Sequence, residues 1–159
     1  MGNREALLAG AKKCLVERGW ATTSVRDIAE AAGVNHAAIG YHFGSREALL
    51  TQVLSEALDE LGAEITDGLP TKSSERWPAV IDAFTTRRDL WVALLESAGQ
   101  AERSAGVREI FVRMLHNGRD GLGGPVPMAL VLGLMMQWLL DPEHAPSGED
   151  VRAGLAALT

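Results

Sequence analysis

TTSVRDIAEAAGVNHAAIGYHFGSREALL, running from Thr22 to Leu50, is the stretch that decides the fold. Val25, Ile28, Ala29 and Ala32 recur at i, i+3, i+4 and i+7, one apolar face of a short helix. Gly33 follows that face, where a left-handed residue closes a helix and only glycine adopts it without steric cost. Asn35 stands where a second helix would be capped, and Ile39 with Phe43 gives that helix an inward face. Asn35, His36, Ala37, Gly40 and Tyr41 are left on its outer side. A short helix with small and hydrogen-bonding groups outward, held by a partner helix, is what a major groove admits.

Working outward, a first helix is expected over about Arg4 to Arg18, ended by Gly19, with Cys14 on the same face as Leu7 and Ala11. Thr22, Thr23 and Ser24 are three candidate caps in a row, and Ser24 with Asp27 three residues on would form a capping box. After Gly44-Ser45 a long helix carries Leu50, Val53, Leu54, Ala57, Leu58, Leu61 and Ile65 in one stripe, stopped by Gly68-Leu69-Pro70.

Further helical patterns are marked by Trp77, Val80, Ile81 and Phe84, by Leu90, Trp91, Leu94 and Leu95, and by Val107, Ile110, Phe111, Met114 and Leu115, the last fading at Gly118. The run GLGGPVP from Gly121 reads as a turn into an apolar helix ending at Asp141-Pro142. A loop from His144 to Gly148 precedes a last helix with Val151, Leu155 and Leu158. No strand, repeat or low-complexity tract stands out. The expected fold is all-α with about nine helices: an N-terminal three-helix helix-turn-helix domain at 1–46, then a C-terminal helical bundle at 47–159, to which the resemblance below gives ligand-binding and dimerisation roles.

At 159 residues and 47% apolar content the chain can bury a real core. One cysteine, Cys14, excludes an internal disulfide framework and suits a reducing cytoplasm. Met1 to Arg18 is charged throughout, unlike a secretory signal. The apolar run Val126 to Leu140 would span about 22 Å, short of a ~30 Å hydrocarbon layer, so it reads as a buried or interface helix and no membrane partner is expected.

The net charge of −6 is unevenly spread. Residues 1–50 hold six Lys and Arg against five acids, whereas residues 51–159 hold nine against sixteen. The first third is therefore the part suited to phosphates, and it depends on exact contacts more than on bulk attraction.

The segment VRDIAEAAGVNHAAIGYHFGSREALL closely resembles the DNA-binding domain of TetR-family (tetracycline-repressor-like) transcriptional regulators. The family pattern runs T-[ST]-x-x-x-I-A-x-x-A-G-V, then a short helix ending in an aromatic-His-Phe run, then a long helix led by Ser and Lys. The local match covers about residues 4–50. By that resemblance the third helix enters the major groove, with Asn35, His36, Ala37 and Ala38 facing base edges. Tyr41 and His42 match the aromatic-His pair that touches phosphates, and Arg46 stands where the family commonly has Lys at the next helix start. Thr23, Ser24 and Arg26 complete the implied DNA-binding set, at a helix N-terminus suited to phosphate. Gly40 departs from the usual Tyr or Asn, and no Arg or Lys lies on the recognition helix.

The resemblance further implies a small apolar or aromatic effector, for which Leu61, Ile65, Trp77, Phe84, Trp91, Leu94, Phe111, Met114 and Trp138 are the candidate contacts. The last two helices offer more apolar surface than one small domain needs, so a homodimer is expected, with Met128, Leu132, Met135, Met136, Leu139, Val151, Leu155 and Leu158 as candidate interface. A palindromic double-stranded operator follows from that symmetry. No cofactor, metal or catalytic residue is expected: His116 and His144 lack partners at metal-ligand spacing, and no nucleophile–base pairing or phosphate-binding glycine loop is present. The acidic pairs Asp59-Glu60 and Glu149-Asp150 read as solvated faces. The competing reading is a helical protein-interaction module without sequence-specific DNA binding.

Overall fold

In a computed structural model of the chain, which describes residues 2–70 and 73–157, every regular element is helical. Nine α-helices run in order among the described residues: α1 Asn3–Arg18, α2 Val25–Ala32, α3 Ala37–Phe43, α4 Arg46–Asp67, α5 Ser73–Thr86, α6 Arg88–Ala98, α7 Ala105–Leu122, α8 Pro125–Leu140 and α9 Gly148–Ala157. A single 3₁₀ turn, Gly99–Glu102, joins α6 to α7. Among the described residues no single helix is long and apolar enough to cross a membrane.

The contacts divide the chain into two compact units, Met1–Leu58 with Val92–Phe111, and Asp59–Trp91 with Val112–Thr159. In the first, α1 turns Leu7, Ala11, Cys14 and Leu15 onto α2, all of them buried. Gly10 makes that crossing possible, since a Cβ there would sit 2.9 Å from the Ala32 amide nitrogen and 3.0 Å from the Ile28 carbonyl oxygen. Leu49, Leu50, Val53, Leu54, Ala57 and Leu58 of α4 are buried as their spacing requires. Ser45 accepts from the Ala48 amide at 3.0 Å and starts that helix. Ser104 links α7 to the start of α4 by donating to Glu47 at 2.6 Å. Burial pushes the Cys14 thiol above its ordinary value, so it is an inert core group.

In the second unit α5 packs against both α8 and α9. Phe84 and Trp91 meet edge-on, with ring centroids 5.4 Å apart. The Trp91 indole donates to the Ala83 carbonyl at 3.2 Å, and that of Trp138 to Pro146 at 3.0 Å. Arg88 caps the end of α8 by donating to the Leu139 carbonyl at 2.9 Å. Ser147 and Asp150 form a second Ser–x–x–Asp box ahead of α9, the amide of each held by the other's side chain at 2.9 and 3.2 Å.

Two sequence expectations change here. The helix α7 does not fade at Gly118 but runs to Leu122. Gly118 faces Met128, whose sulfur lies 2.5 Å from where a Cβ would stand, so this glycine makes room for a neighbour and does not break the helix. GLGGPVP is not all turn either: only Gly123 and Gly124, with φ of 87° and 136°, lie between the helices. Pro125 and Pro127 lie in the first turn of α8, where the missing N–H has no partner to lose.

Candidate nucleic-acid interface

The helix-turn-helix is assembled by short polar devices at each joint. Ser24 accepts from the Asp27 amide at 3.2 Å while Asp27 accepts from the Ser24 amide at 2.8 Å, the expected capping box. These donors, with Arg18 at 2.7 Å, hold the Asp27 carboxyl below its ordinary value. Gly33 closes α2 at φ 65°, ψ 29°, the left-handed conformation expected of it. Asn35 then caps the second helix, its Oδ1 accepting from the Ala37 amide at 2.9 Å.

From that start α3 turns Ile39 inward to 2% exposure and leaves Asn35, His36, Ala37 and Gly40 exposed, with Ala38 half-buried. Tyr41 is the most exposed large side chain of the reader at 86%, and its ring stands edge-on to His42 at 4.9 Å. Phe43 lies half-buried beneath the Arg4 guanidinium, 5.2 Å from the ring centroid. Arg4 also donates to Gln52 at 3.1 Å, which ties α1 to α4 across the end of α3. Nothing lies within 4 Å of where a Gly40 Cβ would stand, so α3 presents an open notch there.

Several expected contact residues have second roles. Thr23 is the clear correction: it is 1% exposed, and its hydroxyl donates to Gly19 at 2.7 Å, so its side chain is withdrawn from any ligand. Its function is to hold the α1–α2 connection. The Arg46 guanidinium donates to the Trp20 and Thr23 carbonyls, and burial lowers its pKa without discharging it at neutral pH. Arg46 thus staples α4 to the α1–α2 connection. The Ser24 amide is taken by Asp27, which leaves its hydroxyl proton and the Val25 and Arg26 amides at the start of α2. Arg26 itself is exposed and has no partner among the described residues. Gly10 went unread in the sequence, although a glycine kept inside a helix at a propensity cost is itself a signal of close packing.

The candidate effector residues divide. Leu61, Ile65, Trp77, Phe84, Trp91, Met114 and Trp138 belong to the second unit, whereas Leu94 and Phe111 belong to the first. Leu61, Phe84, Trp91 and Leu94 are buried in packed core. Trp77 lines a cleft of about 110 Å³, together with Leu69, Arg76, Val80, Leu122 and Pro127.

The candidate dimer residues need a correction. Met128, Met135 and Leu139 are 6%, 7% and 6% exposed within the chain itself, so they are core residues and not an outer seam. α8 is apolar all round, and its inner and outer faces look alike in sequence. Its outward positions are Val126, Ala129, Gly133, Met136 and Leu140, spaced 3, 4, 3 and 4 apart, with Val126 and Leu140 at 66% and 74% exposure. Leu132, Val151 and Leu155 are half-buried, and Leu158 lies outside the described residues.

A three-helix reader with a capped, outward-facing second helix defines a helix-turn-helix protein. The model of bacterial regulatory proteins of the tetR family matches residues 7–53. The HTH-type transcriptional repressor Rv3405c of Mycobacterium tuberculosis is 34% identical over 140 residues, covering 85% of this chain and 71% of that one. The transcriptional regulator SCO7518 of Streptomyces coelicolor A3(2) shares the fold over 99% of this chain and 98% of its own, at a TM-score of 0.82 and 25% identity. The multidrug binding protein EbrR, solved with imidazole, does so over 99% and 95%, at 0.78 and 21% identity. The chain belongs to the TetR family of transcriptional regulators, whose members are not enzymes.

Proposed function

We propose that this regulator is a ligand-responsive repressor acting in the cytoplasm, bound to a palindromic operator as a homodimer and released or retuned by a small apolar or aromatic effector. The observation that carries the reading is α3: Ile39 and Phe43 anchor it inward, while Asn35, His36, Ala37 and Tyr41 stay free to meet a groove. Residues 1–46 act as the reader, inside a compact unit that also takes in the first part of α4 and residues 92–111. Repression is supported by the printed function of Rv3405c, and an effector by the imidazole complex of EbrR.

Base and phosphate contacts separate by geometry. Asn35 uses Oδ1 as a cap, so its free groups toward a base are the two Nδ2 donors, which suit an adenine N7 or a guanine acceptor. Ser24, Arg26, Tyr41, His42 and the α2 N-terminus face the backbone, with Arg46 contributing charge from its half-buried position. The dimer forms through the outer seam of α8, where Val126, Met136 and Leu140 flank the small residues Ala129 and Gly133. Two-fold pairing places the readers about 34–36 Å apart, one helical turn of DNA.

Binding of the purified protein to the inverted repeat nearest its own gene, measured by gel shift across a salt series, tests the reading. Affinity should fall steeply with salt, by a slope of about −0.9 per phosphate engaged. Asn35→Asp keeps the helix cap and replaces the donors with a carboxylate oxygen, so it should lose sequence preference while α3 stays folded. Affinity that ignores salt, or an Asn35→Asp protein with unchanged preference, refutes the assignment.

A further inference from the structure

We propose that the cleft beside α5 in the second unit is a binding site for a small carboxylate with an apolar body, held by the Arg76 guanidinium and the Trp77 indole N–H. The inference deepens the effector reading above and rests on it.

Arg76 is half-buried and has no hydrogen-bond or ion-pair partner among the described residues. The other half-buried arginines are engaged: Arg46 donates to the Trp20 and Thr23 carbonyls, and Arg87 pairs with Glu64. Arginines that lack a partner elsewhere among the described residues, Arg26, Arg103 and Arg119, are exposed and keep their water. A guanidinium that gives up part of its hydration without an acceptor is held at a free-energy cost, which a bound anion would remove.

Trp77 repeats the pattern. The indole N–H groups of Trp91 and Trp138 each donate to a carbonyl, whereas that of Trp77 has no acceptor among the described residues. Arg76 and Trp77 line the same cleft, whose other described walls are Leu69, Val80, Leu122 and Pro127. No acid is among them.

Three helix ends meet at the cleft: the N-terminal turns of α5 and α8, and the C-terminus of α7 at Leu122. Arg76 is the fourth residue of α5, near the positive end of that helix, where a cation is disfavoured. α8 begins at the cleft through Pro127 and carries no acid in its first turn. A carboxylate matches the planar fork of the guanidinium and accepts from an indole beside it.

Size narrows the class. A cleft of about 110 Å³ is smaller than the ~150 Å³ cavity that holds benzene, so the guest's apolar body is at most one small ring or a short branched chain, with the carboxylate lying at Arg76.

The test uses the full-length protein, titrated with benzoate and isovalerate and with the matching alcohols, benzyl alcohol and 3-methylbutanol. Tryptophan fluorescence and thermal melting report binding, and operator gel shift is run in parallel. Each carboxylate should bind at least about tenfold more tightly than its alcohol, the gain of a charge-assisted hydrogen bond. Arg76→Met should abolish that preference with its circular dichroism unchanged, and Arg76→Lys, which keeps the charge without the fork, should retain part of it. Equal binding of acid and alcohol, undiminished benzoate binding by Arg76→Met, or no saturable response to either acid overturns the site. Benzoate binding that leaves operator occupancy unchanged upholds the site and overturns the effector reading. Release of DNA by a neutral compound, equally in Arg76→Met, upholds the effector reading and overturns the carboxylate site.

Discussion

Gly10 and Gly118 do similar work in the two units by different means. Each lies inside a helix where a neighbour comes too close for a side chain. Beside Gly10 the neighbour is backbone, the Ala32 amide and the Ile28 carbonyl of α2. Beside Gly118 it is the flexible end of Met128. The α1–α2 crossing of the reader is therefore backbone against backbone, and the joints of the helix-turn-helix are pinned by hydrogen bonds. In the second unit the α7–α8 contact at Gly118 is instead helix against side chain, with α8 itself almost wholly apolar. Rigid contacts suit a surface that must hold donors in register with a groove, while yielding ones suit a body that responds to a guest.

The largest effect expected is on α8, where two substitutions separate its faces. Met135→Glu puts an unpaired charge into the second unit's core, a change that costs on the order of 4–5 kcal/mol and should leave the protein unfolded or aggregated. Leu140→Glu, on the exposed face, should leave circular dichroism intact and convert a dimer to monomers in sedimentation. If Leu140→Glu stays dimeric while folded, the seam lies elsewhere on the chain.

Next in size is Gly10→Ala. Crowding the α2 backbone costs about 1–3 kcal/mol, and the gain in helix propensity returns at most about 1. The melting temperature should fall and operator affinity should weaken with it. A more stable Gly10→Ala protein would show that α1 can slide away from α2, and the contrast with the second unit would fail.

What could be read in advance follows the same division. In the reader each joint is marked by a residue type that suits one backbone role: Ser24 with Asp27 for a box, Gly33 for a left-handed turn, Asn35 for a cap. Such local rules act within a few residues, so they are visible in the chain order. The Thr23 side chain is unavailable because its hydroxyl is consumed by the carbonyls of Gly19, just past the end of α1, and of Cys14 within it, partners that the helix-turn-helix motif itself does not disclose. For α8 the difficulty was composition. With apolar residues on every side, only tertiary contacts decide that Met135 turns inward and Met136 outward, one position apart. Gly118 and Pro125 looked like helix breakers because their roles, clearance for Met128 and an N-terminal first turn, depend on a helix whose place was not yet known.

Smaller again is the Ser24 box. Ser24→Ala should cost about 1 kcal/mol by removing the cap, and should not propagate beyond the reader. The box has a pH signature as well. The Asp27 carboxyl is held below its ordinary 3.8 by the Ser24 donors, so its contribution to folding is complete above that value and is lost as pH falls below it. The stability gap between the natural protein and Asp27→Asn should accordingly narrow on acidification through that range, as read by urea melts. A gap that widens there would assign Asp27 a different partner.

Gly118→Ala should have the smallest effect, although on distance alone it is the worse clash, with 2.5 Å to the Met128 sulfur against 2.9 Å at Gly10. Distance does not decide the outcome, because a thioether has rotamers to spare and a peptide plane has none. Swinging Met128 aside costs a fraction of what moving a helix does, and alanine regains up to about 1 kcal/mol of helix propensity. The net change should lie near zero, within about 0.5 kcal/mol in a urea melt. A loss as large as that of Gly10→Ala would mean that Met128 is locked by its neighbours, and that the second unit is as unyielding as the reader.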